Sequence, residues 1–114
     1  MATIVSSAIA AGANTITKTT LTESDTFTYV PRGRQVLILE NVTEGALTVN
    51  IDGDGATTVN VGGVGAVDIS GGFSTGEIAI DGIVAIPLDS ISEYLAGTIE
   101  VTGGTGIEAS LLTF

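Results

Sequence analysis

Leu47, Val49 and Ile51 alternate with Thr48, Asn50 and Asp52. That period of two places aliphatic side chains on one face of a strand and polar ones on the other. The preceding run, Val36-Leu37-Ile38-Leu39 within residues 35–40, is uninterrupted and predicts a central strand buried on both faces. Residues 15–21 and 26–30 are rich in Thr, Val, Phe and Tyr and predict two more strands around a polar Glu23-Ser24-Asp25 turn. Extended segments follow at 66–70, 77–80, 83–86 and 97–101, and a last one at 107–112 sets Ile107, Ala109 and Leu111 against Glu108, Ser110 and Leu112.

The punctuation between these segments is turn chemistry: Pro31-Arg32-Gly33, Glu44-Gly45, Gly71-Gly72, Asp81-Gly82 and Gly103-Gly104-Thr105-Gly106. Pro87 lacks the N–H a ladder needs, so it ends or edges a strand. Residues 89–95 form the one helical stretch, with Ser90 and Glu93 at capping-box spacing, Ile91 and Leu95 four apart, and Gly97 to close it. An internal echo reinforces the strand reading, since Thr48-Val-Asn-Ile-Asp-Gly-Asp-Gly55 returns ten residues later as Thr58-Val-Asn-Val-Gly-Gly-Val-Gly65. Two copies make a meander or a corner, whereas a solenoid needs at least three stacked units.

Composition narrows the chemistry. The 114 residues fit one domain, and an apolar content of 44 % rich in Val, Ile and Leu supplies an aliphatic, β-prone core. Thirteen acidic residues face three basic ones, Lys18, Arg32 and Arg34, for a formal net charge of -10. Such a surface repels nucleic acid and anionic membranes. Every cation lies within the first 34 residues, so an electrostatic contact made through basic groups points to Arg32 and Arg34. The N-terminal MATIVSSAIAAGANTI has no basic segment followed by a continuous apolar one, so synthesis in the cytoplasm is expected.

The sequence contains no Cys and no His. Cysteine proteases, Ser-His-Asp hydrolases and histidine-ligated zinc enzymes therefore lack their essential side chains. Gly62 to Gly65 and Gly103 to Gly106 lack the Gly-Lys-Ser/Thr ending of a phosphate-binding loop and the ordered glycines of a dinucleotide loop. Gly62-Gly63-Val64-Gly65 comes closer to a calcium-binding glycine repeat, but Val67 stands where that repeat has Asp, and Asp68 follows one residue late. Asp52 and Asp54 offer two carboxylates around Gly53, short of the six to eight oxygens calcium takes. No catalytic, cofactor or metal residue is assigned, and the chain reads as non-enzymatic.

The glycine-punctuated segments at 35–70 and the closing YLAGTIEVTGGTGIEASLLTF at 94–114 resemble the small capsid decoration or cement proteins of tailed bacteriophages. The resemblance implies a virion structural protein on the capsid exterior that bridges and stabilises major capsid subunits, commonly as a homotrimer. A tail, fibre or adhesive β module binding a receptor or glycan is the alternative. The preferred architecture is all-β: a compact antiparallel β-sandwich or jelly-roll-like barrel with one short helix, formed by residues 14–114 behind a flexible N-terminal arm at 1–13. Interface candidates are Thr3, Ile4 and Val5 in the arm, Tyr29, Arg32 and Arg34 at the turn, Tyr94, whose ring can pack while its hydroxyl reaches a partner, and Leu111, Leu112 and Phe114 at the end.

Overall fold

The computed structural model describes residues 2–114, so Met1 of the expected arm lies outside the described residues. Among the described residues, twelve strands and one short helical segment follow one another. They are β1 (Ala2–Thr3), β2 (Ser6–Ala8), β3 (Lys18–Thr20), β4 (Ser24–Phe27), β5 (Gln35–Glu40) and β6 (Leu47–Gly53). After these come β7 (Thr58–Val61), β8 (Gly65–Asp68), β9 (Phe73–Ile78), β10 (Ile83–Pro87), the helix α1 (Leu88–Tyr94), β11 (Ile99–Thr102) and β12 (Glu108–Thr113).

The strands form three sheets. The first has the order β1-β4-β11-β6-β9 and the second β10-β5-β12-β2, with β3 also pairing β12. The third is a two-stranded ribbon of β7 and β8. The ladders are antiparallel except where β1 pairs β4 and β2 pairs β12, both parallel. This corrects the purely antiparallel expectation, and the reason lies at the N-terminus. Residues 2–8 add a short strand first to one large sheet and then to the other, running in the same direction as the strand each joins. Ile4, between the two, is 2 % exposed.

Alternation in the sequence becomes sidedness in the sheets. Val49 and Ile51 of β6, Ile99 and Val101 of β11 and Phe27 of β4 join Leu37 and Leu39 of β5 and Ala109 and Leu111 of β12 in one hydrophobic cluster. β5 departs from expectation, since Leu37 and Leu39 are fully buried while Val36, Ile38 and Glu40 on its other face are only half-buried. Conversely β12, flanked by β5 on one side and by β2 and β3 on the other, buries Ser110 and Leu112 as well as Ala109 and Leu111.

The helix forms where expected but with a different winding. It winds as 3-10 turns that meet at a kink at Ile91, whose backbone is non-helical at φ -120° and ψ 25°. Leu88 and Ile91 are buried, and Tyr94 packs half-buried against the core. The capping box does not form, because the Ser90 hydroxyl donates to the Pro87 carbonyl at 2.6 Å. Pro87 itself ends edge strand β10, as its missing N–H requires.

The two copies of the Thr-Val-Asn repeat end in different environments. The first becomes β6 inside the first large sheet, and the second becomes β7, which pairs only β8. Gly62, Gly63 and Val64 form the exposed tip of that ribbon, with Gly63 in left-handed backbone at φ 83°. Asp68 is engaged locally, its Oδ1 accepting the Ser70 hydroxyl at 2.7 Å and the Ser70 N–H at 2.9 Å.

Candidate functional site

β4 leaves the first sheet at Phe27 and the chain turns through Tyr29-Val30-Pro31-Arg32-Gly33-Arg34 before entering β5 of the second sheet. Arg32 and Arg34 both take left-handed backbone, at φ 62° and 53°. A side chain there meets steric resistance of roughly 1–2 kcal/mol per residue, so surrounding contacts must hold it in place. Two residues do so. Asp89, at the start of α1, accepts the Tyr29 hydroxyl at 2.6 Å and the Arg32 N–H at 3.1 Å through Oδ1. Gln35, 2 % exposed, accepts the Val30 N–H at 2.7 Å and donates to the Thr28 carbonyl at 3.4 Å.

The Tyr29 hydroxyl holds the Asp89 carboxyl below its ordinary 3.8, helped by the Arg32 and Arg34 backbone N–H groups against some desolvation. The same bond pushes the Tyr29 phenol above 10.0, with burial and the Asp89 charge acting in the same sense. A depressed carboxyl contributes stability above its unfolded value, and that contribution is lost as pH falls through the folded one. A raised phenol contributes below its unfolded value and loses its contribution as pH rises through the folded one. The turn is thus fastened across the neutral range and released at both extremes. In Tyr29→Phe the Asp89 carboxyl should titrate closer to 3.8, and acid should loosen the turn at higher pH than in the wild type. Carbon-detected NMR titration of the Asp89 carboxyl reads this directly, and an unchanged midpoint would show that the hydroxyl is not its principal partner.

Three shallow depressions of about 490, 550 and 410 Å³ surround the turn. The first two share Tyr29, Pro31 and Leu95, and the second and third share Arg34 and Asp89. Phe114, 58 % exposed, lines the third, and its N–H reaches the Arg34 carbonyl at 3.4 Å. Val30, 49 % exposed, adds apolar surface on the same turn. An open, continuous surface that mixes aromatic, aliphatic and cationic groups is suited to another macromolecule more than to an enclosed small ligand.

Of the candidate residues, Tyr29, Arg32, Arg34 and Phe114 come together here, and Thr3 lines the first depression beside Tyr29. Val5 is exposed between β1 and β2. Ile4, Leu111 and Leu112 are 2 %, 1 % and 7 % exposed, so the chain itself already covers the apolar surface expected at an interface. Tyr94 lies apart, half-buried and edge-on to Phe73 with ring centroids 5.8 Å apart. Asp54 accepts the Thr98 N–H at 2.9 Å. Among the described residues, no three acidic side chains gather where a metal ion could be held.

Sequence reasoning missed Asp89 and Gln35, the residues that hold the turn. Gln35 did carry a signal, because it is a polar residue in phase with Leu37 and Leu39 on the buried side of β5. Asp89 is brought to Arg32 from 57 positions away and carried none.

Lys18, the third cation, is fully engaged elsewhere. Its ammonium lies 3.0 Å from Glu40 and 3.4 Å from Glu108, and these two carboxylates, Glu40 first, raise its pKa. Arg32 and Arg34 form no ion pair among the described residues. Comparison with family models, curated proteins and solved structures found no match to the chain.

Proposed function

We propose that this protein is a non-enzymatic virion component that decorates and stabilises a phage capsid from the exterior, bridging major capsid subunits as a homotrimer. The observation that carries the reading is the turn at 29–34. A chain with a net charge of -10 presents Arg32 and Arg34, which form no ion pair among the described residues, at one corner held by Asp89 and Gln35, beside an exposed Phe114. Strained backbone held in place by surrounding contacts marks a surface used for something other than stability. The resemblance at 35–70 and 94–114 supplies the capsid as the setting. In this reading the two large sheets are the leaves of a sandwich whose inward rows meet in one core, giving the corner a stiff support.

Several weak contacts closing together strengthen attachment through effective concentration, so copies joined to one another hold the shell more strongly than a monomer does. Purified empty shells mixed with the purified protein should bind it saturably at a fixed copy ratio and rupture at a higher temperature. Arg32→Gly/Arg34→Gly should load at least about tenfold more weakly, as expected for loss of charged contacts. Absence of binding across a range of ionic strengths would remove the capsid reading.

A further inference from the structure

Two local features run against the stability of the chain, and they carry opposite charge. One is the corner, where Arg32 and Arg34 occupy left-handed backbone and form no ion pair among the described residues. The other lies on the outward face of the first sheet. Asp52 of β6 and Glu100 of β11 stand directly opposite each other in the antiparallel register, an arrangement in which like charges repel. Glu100 accepts the Ser24 hydroxyl at 2.8 Å, but Asp52 Oδ1 is buried with no hydrogen-bond partner. Glu77, opposite Thr48 on β9, adds a third carboxylate to that outward face, and the five strands of the sheet contain no Lys or Arg.

The second sheet handles the same problem differently. Glu40 of β5 and Glu108 of β12 are also directly opposite, and Lys18 from β3 sits between them. The chain thus neutralises one cross-strand pair of carboxylates and leaves the other without a cation, while the Arg32 and Arg34 guanidiniums form no ion pair among the described residues. We infer that a second copy of the chain closes both gaps, with the Arg32/Arg34 corner of one copy docked on the Asp52/Glu100 face of another.

Charge complementarity selects this occupant. A guanidinium is a planar fork that serves carboxylate oxygens at two positions, and it is more weakly hydrated than an ammonium. Glu100 is exposed on that face and Asp52 beside it is half-buried, so an arriving guanidinium reaches the Glu100 carboxylate first and offsets the charge of both. Because the two surfaces differ, the contact joins unlike patches and closes into a ring or a reciprocal dimer according to the rotation between copies. The inference rests on the self-association in the proposed function and names the surfaces that produce it.

Sedimentation over a concentration series, with EDTA present, tests it. The wild type should associate, and association should weaken towards 1 M salt as the screening length falls to about 3 Å. Arg32→Gly/Arg34→Gly should associate at least about tenfold more weakly, in line with loss of close charge pairs. Its thermal midpoint should be unchanged or higher, since glycine adopts left-handed backbone freely. Asp52→Asn/Glu100→Gln should behave the same way, because it removes a repulsive pair. Arg32→Glu/Arg34→Glu and Asp52→Lys/Glu100→Lys should each be monomeric alone and combine when mixed, and the neutral variants carry the test if a reversed one fails to fold. A wild type that stays monomeric overturns both the inference and the self-association beneath it. Association that survives both neutral variants overturns the inference alone and leaves the homotrimer standing. Association abolished by EDTA and restored by calcium would assign the acidic pair to a metal ion instead.

Discussion

Gly53→Ala is expected to lower the free energy of unfolding by about 2–4 kcal/mol, at or above the usual range for overpacking a filled site. A methyl group at residue 53 would stand 2.4 Å from the Ala96 carbonyl oxygen and 2.6 Å from both the Ala96 nitrogen and the Tyr94 carbonyl oxygen. All three are backbone atoms, so no side chain can rotate away. The strands cannot part easily either, because Gly55 N–H donates to the Ala96 carbonyl and Asp54 N–H to the Thr98 carbonyl, both at 2.9 Å. Gly63 holds the equivalent place in the second copy of the repeat, and a methyl group there meets nothing within 4 Å. Gly63→Ala should therefore lose only about 1 kcal/mol, for left-handed backbone alone. Urea unfolding of the two variants side by side measures the contrast, and equal losses would refute the close packing at Gly53. The displaced segment includes Leu95, Gly97 and Thr98, which line the depression beside Tyr29, so Gly53→Ala should also weaken shell binding.

Asn41→Asp should destabilise by about 3–5 kcal/mol at neutral pH, the scale for a buried charge left with acceptors as neighbours. Asn41 is fully buried and uses its whole amide. Its nitrogen donates to the Gly45 and Ile78 carbonyls at 2.9 Å each, and its oxygen accepts the Thr43 N–H at 3.0 Å and the Thr43 hydroxyl at 2.6 Å. Its backbone also bonds Gly82 and Asp81, at the turn where the chain leaves β9 of the first sheet for β10 of the second. A carboxylate keeps the two acceptor bonds but presents negative charge to two carbonyls. Protonation restores one donor, so the deficit relative to wild type should shrink as pH falls. Urea midpoints of both proteins at pH 7 and pH 4 decide this, and a deficit that grows on acidification would contradict it.

Much of the fold was legible where neighbours along the chain decide it. β6 lies where Leu47, Val49 and Ile51 alternate with polar residues, and the Pro31-Arg32-Gly33 turn, the end of β10 at Pro87 and the Gly103 to Gly106 turn follow from residue chemistry. The helix was legible in place but not in winding: Ile91 and Leu95 both reach the core as expected, yet the segment winds as 3-10 turns broken at Ile91. Leu111 and Leu112 illustrate the limit. An apolar residue near a chain end reads equally as core or as interface until the strands beside it are known, and β5 and β2 settle that β12 is internal.

The candidate site divides along the same line. Arg32, Arg34 and Phe114 stand out in a sequence with few cations and few aromatics, but nothing in their order says that they meet. Asp89 and Gln35 bring the turn against α1 and β5, and Lys18 is drawn off to Glu40 and Glu108 by the pairing of β3, β12 and β5. Periodicity and turn chemistry act over a few neighbouring residues, so the strands from β5 to β6, the turns and the charge imbalance could be read along the chain, whereas the strands at residues 2–8 could not. Which strands adjoin, and with that which charges are matched, depends on pairings between residues that the chain order keeps far apart.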